Sequence, residues 1–288
     1  MDRIIKSHRG IYYVEQNNKV ILCKARGVFR DRDIKPIVGD LVDISINDDG
    51  TGYIEKVYER KNQLLRPPLA NIDQVIIIMS LKDPKINLNL LDKYILMLEK
   101  SNLEIKIIFN KVDLVKDKDM EYISSIYANI GYDIYFNSNV KESNLSLDRL
   151  FEDKITAVVG PSGVGKSTTL NKIFSNFNFD TGEISVKNKK GKHTTRHIEM
   201  SKLSNNSYII DTPGFSSLSL EFIDERNDIK DNFIEFRKYA NKCKYNDCYH
   251  INEPVCGVKL ALEEKIIAKE RYENYKQILN EYDKIRRF

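Results

Sequence analysis

Short runs of alternating apolar and polar residues mark the first 66 positions of the chain. Four such runs are separated by polar or glycine-containing turns, at residues 11–14, 20–22, 38–44 and 53–57. A period of two is typical of half-buried β-strands, so the pattern predicts a small all-β module. The spacing suits a five-stranded OB-type barrel, although alternation alone does not separate this barrel from an SH3-like one.

The pattern changes after Arg66, Pro67 and Pro68, which predict a stiff, extended boundary. Beyond it, continuous apolar runs typical of buried strands alternate with helical segments, one of which carries an apolar stripe over residues 88–98. This alternation predicts an α/β domain with a parallel sheet. The five predicted strands are residues 74–79, 105–109, 134–136, 155–159 and 208–210.

The tail beyond about residue 219 lacks strand patterns and ends in an amphipathic helix. Its apolar stripe consists of Tyr275, Ile278, Leu279, Tyr282 and Ile285, set among lysines and glutamates. We expect this stripe to pack against the rest of the chain.

Composition and charge exclude several classes of protein. The 288 residues are 41% hydrophobic and 31% charged, as in folded globular proteins, and 46 basic against 42 acidic residues leave a charge of +4, too small to indicate nucleic-acid binding. Apolar runs such as residues 75–79 are far shorter than the roughly 20 residues of a membrane span. The first ten residues are charged and contain no apolar core, so we expect no secretory leader, no membrane partner and a cytoplasmic location.

A phosphate-binding loop is predicted between the strand 155–159 and a following helix. It comprises Gly160, Pro161, Ser162, Gly163, Val164, Gly165, Lys166 and Ser167, and we expect Thr168 to contact the same nucleotide. The glycines allow backbone N–H groups and the helix N-terminus to face phosphates. Lys166 is expected to reach the β and γ oxygens and Ser167 to ligate Mg²⁺.

A second phosphate motif, Asp211-Thr212-Pro213-Gly214, follows the strand 208–210. Asp211 can hold Mg²⁺ through water, and the Gly214 N–H can sense the γ-phosphate. Alone, these four residues are equally typical of a type I turn. Paired with the phosphate loop, they indicate a nucleotide-dependent switch.

A base-reading motif, Asn110-Lys111-Val112-Asp113, lies at the carboxyl end of the strand 105–109, where open α/β sheets bind ligands. The Asp113 carboxylate can accept hydrogen bonds from N1–H and the 2-amino group of guanine. Adenine offers an N1 lone pair instead, a mismatch of about 1–3 kcal/mol, so GTP is favoured over ATP. Ser138 and Asn139, after the strand 134–136, are placed to contact guanine O6 through backbone N–H groups.

The motif order indicates a circular permutation. In ordinary small GTPases the phosphate loop comes first, whereas here the guanine motif at 110 precedes the phosphate loop at 160 and the switch motif at 211. The predicted fold is therefore a circularly permuted P-loop GTPase domain.

Three cysteines and a histidine, Cys243, Cys248, His250 and Cys256, form the pattern C-x4-C-x-H-x5-C. Three thiolates and an imidazole can close a tetrahedral Zn²⁺ shell without a position for water, so the ion is expected to be structural. The alternative is a set of small buried cysteines beside an unrelated histidine. Cys23 stands apart in a β segment and is expected in the core.

A basic run without an acidic residue occupies positions 187–198, between the two phosphate motifs, where a first switch is expected. RNA phosphates bound there would be coupled to the nucleotide state, although such a run is also typical of a solvated face. Thr194 or Thr195 is expected to supply the second Mg²⁺ hydroxyl, and the sequence does not distinguish them.

The residue after the second phosphate motif is Phe215, where Ras-like enzymes carry the glutamine that orients the attacking water. Intrinsic hydrolysis is therefore expected to be slow. Either His193 orients the water once the switch is ordered, or a partner supplies a group in trans. We favour His193 as the catalytic residue and regard His197 as part of the exposed basic run.

Five segments together resemble one family, the circularly permuted ribosome small-subunit-dependent GTPases. They are Asn71-Ile72-Asp73-Gln74, the guanine motif, the phosphate loop, Gly191-Lys192-His193-Thr194-Thr195-Arg196 and Asp211-Thr212-Pro213-Gly214-Phe215. The resemblance implies an N-terminal OB-fold over 1–66, a GTPase domain over 67–218 and a helical zinc-binding domain over 219–288. It also implies late maturation of the small (30S) ribosomal subunit, contact with 16S rRNA, and hydrolysis of GTP to GDP stimulated by the subunit.

Two other functions remain open at this point. The chain would be an RNA-binding module if GTP were only a structural ligand. A P-loop ATPase or kinase is less well supported, because Asp211 is followed by threonine rather than by a catalytic glutamate. We expect a monomer and no DNA partner.

Overall fold

The structure of the protein is a computed structural model. It describes residues 1–27, 29, 34–65, 67–140, 146–174, 198–204, 206–211 and 218–286. The chain divides into two compact units, the first comprising residues 1–76, 144–159 and 166–214, and the second residues 77–143, 160–165 and 215–288.

A closed five-stranded barrel forms the beginning of the first unit. The strands pair in the order β1-β2-β3-β5-β4, β4 returns to β1, and β3 and β5 run parallel. This order is that of an OB-type barrel and separates it from the SH3-like alternative. The strands are β1 (Asp2–His8), β2 (Ile11–Gln16), β3 (Lys19–Ala25), β4 (Leu41–Ile46) and β5 (Gly52–Val57).

Each barrel strand contributes an apolar side chain to the barrel core. These side chains are at most 1% exposed, and they belong to Ile4, Val14, Cys23, Val42 and Ile54. The prediction that Cys23 is a core residue is therefore confirmed. The alternation did not identify β1, because its only fully buried side chain, Ile4, is surrounded by charged residues.

The Asn71-Ile72-Asp73-Gln74 segment fixes the start of the next strand within the first unit. Asn71 has a left-handed φ of 56°, and its side chain accepts from the Lys61 N–H and donates to the Gly39 carbonyl. Asp73 accepts from the Ile155 N–H at 2.8 Å, and the Gln74 amide donates to Thr156 Oγ1 at 2.9 Å.

The remaining strands of the first unit extend the sheet from the barrel. β11 and β13 are parallel, β13 and β12 are antiparallel, and β12 is antiparallel to barrel strand β1. The antiparallel strand β12 was not predicted. The elements outside the barrel are β6 (Gln63–Leu64), β7 (Leu69–Ala70), β11 (Ile155–Val159), α3 (Lys166–Ile173), β12 (Ile198–Lys202) and β13 (Tyr208–Asp211).

The second unit combines a small α/β layer with the helical tail. β9 and β10 are parallel, with β8 on the other side of β9, and the described residues 218–286 form helices without a strand, as predicted. The elements are β8 (Gln74–Ser80, of which the last four residues lie in this unit), α1 (Leu88–Lys100), β9 (Glu104–Asn110), α2 (Asp117–Tyr127), β10 (Asp133–Phe136), α4 (Arg226–Asp231), α5 (Ile234–Ala240), α6 (Gly257–Glu263) and α7 (Lys269–Ile285).

A buried ionic cluster attaches the tail helix α7 to α1 and α5 within the second unit. Arg271 contacts Glu235 through two hydrogen bonds of 2.7 and 2.9 Å and contacts Asp92 at 2.6 Å. Asp92 also accepts from Asn274 and from the Tyr127 hydroxyl. The apolar stripe of α7 does pack inward, since Tyr275, Ile278, Leu279 and Tyr282 are buried, although Ile285 is exposed.

Candidate functional site

The glycines of the phosphate loop occupy positions that a side chain would disrupt. Gly160 has a φ of 147°, and a Cβ there would lie 2.1 Å from the Ile78 carbonyl oxygen. Gly165 has a φ of 91°, and a Cβ there would lie 2.5 Å from the Asn110 amide nitrogen. Only glycine combines these left-handed conformations with such close approaches. The loop backbone is thus held against the guanine motif.

The guanine motif contacts the phosphate loop directly. The Asn110 side chain donates to the Val164 carbonyl at 2.8 Å, and Lys111 Nζ donates to the Gly163 carbonyl at 2.9 Å. Lys111 also donates to the Asp83 carbonyl and has a left-handed φ of 62°. Two motifs more than 40 residues apart in sequence therefore meet at one place, as the base-and-phosphate interpretation requires.

Asn137 contacts the guanine motif and was not among the residues predicted from the sequence. It is buried, and its amide donates to the side-chain oxygens of Asn110 at 2.9 Å and Asn139 at 3.1 Å. Its backbone N–H donates to the Phe109 carbonyl. This bond connects the loop after β10 to the end of β9, directly before the guanine motif. The available signal was its position, directly after β10 and next to Ser138.

Ser138 and Asp113 form a further contact between the same loops. The buried Ser138 hydroxyl donates to Asp113 Oδ1 at 2.6 Å. This hydrogen bond orients the carboxylate that was predicted to read guanine, so Ser138 contributes a side-chain role in addition to the predicted backbone one.

The other predicted nucleotide residues are placed as follows. Lys166 and Ser167 begin α3, with Thr168 next, and Asp211 is the last residue of β13. Pro161 and Ser162 lie in the loop, and Val112 follows Lys111 in a short 3-10 turn. Gly214, Phe215, His193, Thr194, Thr195 and most of the basic run lie outside the described residues.

The four predicted metal ligands converge in the tail. The sulfurs of Cys243, Cys248 and Cys256 lie 3.5, 3.4 and 3.4 Å from His250 Nδ1, and the Cys243 and Cys256 sulfurs are 3.8 Å apart. Tetrahedral Zn²⁺ with standard bond lengths places sulfur and nitrogen about 3.6 Å apart and two sulfurs about 3.8 Å apart. The residues therefore fit a structural zinc ion, with Nδ1 as the histidine ligand.

The surroundings of this cluster add contacts to the proposed ligand atoms. Burial raises the pKa of the Cys248 thiol to about 12, which favours the neutral thiol unless a cation lies beside it. Backbone N–H groups of Gly257 and Lys259 point at the sulfurs of Cys243 and Cys256. The Tyr272 hydroxyl donates to the His250 carbonyl at 2.6 Å and anchors the ligand loop on α7.

Comparison with known proteins decides the family. Residues 57–221 match the model of the RsgA GTPase, and residues 3–54 match that of the RsgA N-terminal domain. The chain belongs to the RsgA GTPase family. Two relatives, both called small ribosomal subunit biogenesis GTPase RsgA, are similar over almost the full length. The one from Alkaliphilus metalliredigens is 41% identical over 99% of both chains, and one from Clostridium botulinum is 45% identical over 97% of this chain and 96% of its own.

Two solved structures of similar proteins have the same fold. YloQ, described as a circularly permuted GTPase, has a TM-score of 0.79 and 34% identity, covering 98% of this chain and 95% of its own. YjeQ from Thermotoga maritima has a TM-score of 0.80 and 34% identity, covering 98% of both chains. The chain therefore has the circularly permuted GTPase fold with an N-terminal barrel, as its motif order predicted.

None of the helices in the described part of the chain combines the length and the apolar character needed to cross a lipid bilayer.

Proposed function

We propose that the chain is a GTP hydrolase that acts in biogenesis of the small ribosomal subunit and cycles between GTP and GDP. The observation that carries this proposal is the direct contact of the guanine motif with the phosphate loop, through Asn110 to Val164 and Lys111 to Gly163. A ligand bound there would have its base beside one motif and its phosphates beside the other. The relatives' shared name supplies the cellular role.

Guanine selectivity would come from Asp113, whose carboxylate Ser138 orients. The backbone N–H groups of the phosphate loop and the start of α3 would bind the phosphates, with Lys166 at the β and γ oxygens. The remaining contacts would come from Val112, Asn139, Pro161, Ser162, Thr168 and Gly214.

Ser167, Asp211 and one of Thr194 and Thr195 would hold Mg²⁺. When bound, the ion neutralises charge that develops on the phosphate oxygens. His193 would orient the attacking water, since Phe215 has no hydrogen-bonding group for this task.

A structural Zn²⁺ in the tail would be held by four ligands, Cys243, Cys248, His250 and Cys256. The support is the match between the distances of these ligand atoms and those of a tetrahedral site. We assign residues 1–66, 67–218 and 219–288 to the barrel, GTPase and zinc-binding domains.

We propose 16S rRNA as a direct partner, because cations and aromatic rings lie together on two surfaces. On the barrel, Lys6 lies over the Tyr13 ring and Arg26 over the Tyr53 ring, and Tyr53 is 39% exposed. Such pairs can bind phosphates and stack unpaired bases.

The tail has the second surface of this kind. Residues 237–245 include four exposed cations and no acidic residue, and two of these cations lie over tyrosine rings. The cations are Arg237, Lys238, Lys242 and Lys244. We place the protein in the cytoplasm, where ribosomal subunits mature.

The experiment is phosphate release from GTP with and without purified small ribosomal subunits. We expect slow basal turnover, a rise of at least tenfold with subunits, and no comparable rate with ATP. A rate that subunits leave unchanged would contradict the proposed cycle. Retention of bound GTP without phosphate release, with subunits present, would instead support the RNA-binding module with a structural nucleotide.

A further inference from the structure

A continuous ladder of strands joins the barrel to the strand that carries Asp211. Within the first unit, β1 of the barrel pairs with β12, β12 with β13, and β13 with β11. One cross-strand row in this ladder contains Lys6, Glu199, Asp211 and Val158 in that order. Val158 lies two residues before the phosphate loop. The barrel is thus only two strand pairings away from a predicted Mg²⁺ residue.

Glu15 of the barrel holds the opposite end of the same two strands. Its Oε1 accepts from Lys202 Nζ at 2.9 Å, and its Oε2 accepts from the Tyr208 hydroxyl at 2.6 Å. Lys202 and Tyr208 are cross-strand partners, the last residue of β12 opposite the first of β13. One carboxylate from β2 therefore contacts both β12 and β13, which also pair with each other through their backbones.

The carboxylate and the tyrosine of this cluster are shielded from solvent, whereas the lysine is partly exposed. The Glu15 side chain is only 15% exposed and Tyr208 is buried, while the Lys202 side chain is 30% exposed. Burial raises the pKa of Glu15, but the hydrogen bonds from Tyr208 and Lys202 outweigh this effect and hold its pKa below the usual value. The charge-assisted bonds are therefore present at neutral pH.

The other ion pair along this ladder is weaker. Lys6 and Glu199 are 2.6 Å apart, but their side chains are 29% and 55% exposed. Exposed pairs of this kind contribute little, because water and salt screen them and ordering two long side chains costs entropy. Beside the backbone pairing of β1 with β12, Glu15 is therefore the side-chain contact that links the barrel to both β12 and β13.

We infer that Glu15 is a positioning residue for GTP hydrolysis, which transmits docking of the barrel on the small ribosomal subunit to β12 and β13 and thereby to Asp211. The inference rests on the proposed function. Glu15 lies in the barrel, and it acts through Lys202 and Tyr208. Its removal would leave basal turnover intact and uncouple it from the subunit.

The first test measures GTP turnover of Glu15→Ala with and without purified small subunits. We expect basal turnover within twofold of the wild type, a saturated, stimulated kcat about five- to tenfold lower, and an unchanged subunit concentration at half-stimulation. Full stimulation in this variant would overturn the inference. A change only in the half-stimulating concentration would also overturn it, because it would mean that Glu15 binds the subunit.

Three further variants test whether Glu15 acts through its hydrogen bonds. Tyr208→Phe removes one of the two donors and is expected to lower stimulated kcat in the same direction. The double variant Glu15→Ala/Tyr208→Phe should be no worse than Glu15→Ala, since residues that act as a unit are not additive. Glu15→Gln, which keeps an acceptor, should recover part of the stimulation. Additive losses, or no recovery in Glu15→Gln, would contradict the inferred route.

The matched control is Glu55→Ala. Glu55 also bridges two barrel partners, Arg26 at 2.5 Å and the Ser45 hydroxyl, but both of these belong to the barrel itself. Because Arg26 lies on the proposed rRNA surface, the half-stimulating concentration can change in this variant, but its saturated, stimulated kcat should stay at the wild-type value. An equal loss in Glu55→Ala would mean that any weakening of the barrel has the same effect, and the inference would be wrong.

A measurement without subunits separates this inference from the proposed function. Hydrogen exchange of β1 and β2 amides is compared between GDP and a non-hydrolysable GTP analogue. Because coupling between two sites is reciprocal, the wild type should show a nucleotide-dependent difference and Glu15→Ala should lose it. No difference in the wild type would overturn the inference, whereas a wild type that subunits fail to stimulate would refute the proposed function.

Discussion

Asn110 is completely buried, and both ends of its side-chain amide are occupied. The nitrogen donates to the Val164 carbonyl, and the oxygen accepts from Asn137. An amide with a fixed donor and a fixed acceptor has one orientation, so the phosphate loop and the guanine motif keep a fixed separation.

Replacing Asn137 with alanine is expected to weaken GDP binding about tenfold. The change leaves the buried Asn110 oxygen without its donor, at a cost of about 1–3 kcal/mol, and frees the amide to turn. Titration with a fluorescent GDP analogue measures the effect. Asn129→Ala, at an exposed position on the same unit, is the control. Equal affinities in the two variants would exclude a role for Asn137.

Sequence predicts individual residues best where chemistry imposes a pattern. The guanine motif and the phosphate loop could be predicted because their residue types and spacing are typical of nucleotide binding. Asn137 belongs to no such pattern. Its contacts are with the side-chain amides of Asn110, which is distant in sequence, and Asn139, which is two positions away. Ser138 was assigned a backbone contact, and its hydroxyl bond to Asp113 depends on loop geometry that spacing does not encode.

Helix α7 is attached by buried charge as well as by its apolar stripe. Arg271 is 1% exposed and faces two buried carboxylates, Asp92 on α1 and Glu235 on α5. Its planar guanidinium fits Glu235 through two parallel bonds, which lysine cannot reproduce. The stripe was predictable from helical spacing, whereas a charged residue gives no indication from sequence alone that it is buried.

We expect Arg271→Ala to lower the free energy of unfolding by about 3–5 kcal/mol, because two buried carboxylates lose their counter-charge. Urea denaturation measures it. Arg237→Ala is the control, since Arg237 is 54% exposed and lies 3.9 Å from Glu99. It should change stability by less than about 0.5 kcal/mol. A loss below 1 kcal/mol in Arg271→Ala would contradict the importance of this cluster.

We expect the loop that carries the four proposed zinc ligands to depend on a bound ion. Cys248→Ser replaces a buried sulfur with a hydroxyl, which is a poor zinc ligand, so zinc content is expected to fall below about one tenth of an equivalent by elemental analysis. Cys23→Ser changes a cysteine in the barrel core and serves as the control. Full zinc occupancy in Cys248→Ser would show that the ligand assignment is wrong.

Across the whole molecule, the motif order predicted the permuted fold, and the alternating pattern predicted the barrel. Besides the two-residue strands β6 and β7, the strands β1 and β12 were missed, and these two for a common reason. β1 has the charged residues Asp2, Arg3 and Lys6 among its seven positions, and β12 follows the basic run, so neither has the apolar signature of a strand. They pair with each other, and long-range pairing of this kind leaves no local trace in sequence.

The pairing of β1 with β12 has a consequence for synthesis. Lys6 and Glu199 are 193 positions apart. During synthesis, this part of β1 therefore leaves the ribosome long before the β12 residues with which it pairs. At about 5–20 residues per second, this wait lasts on the order of 10–40 s. Throughout that time the backbone of β1 that later pairs with β12 can pair with other nascent chains. A charged side chain such as Lys6 on an open strand edge disfavours such mispairing.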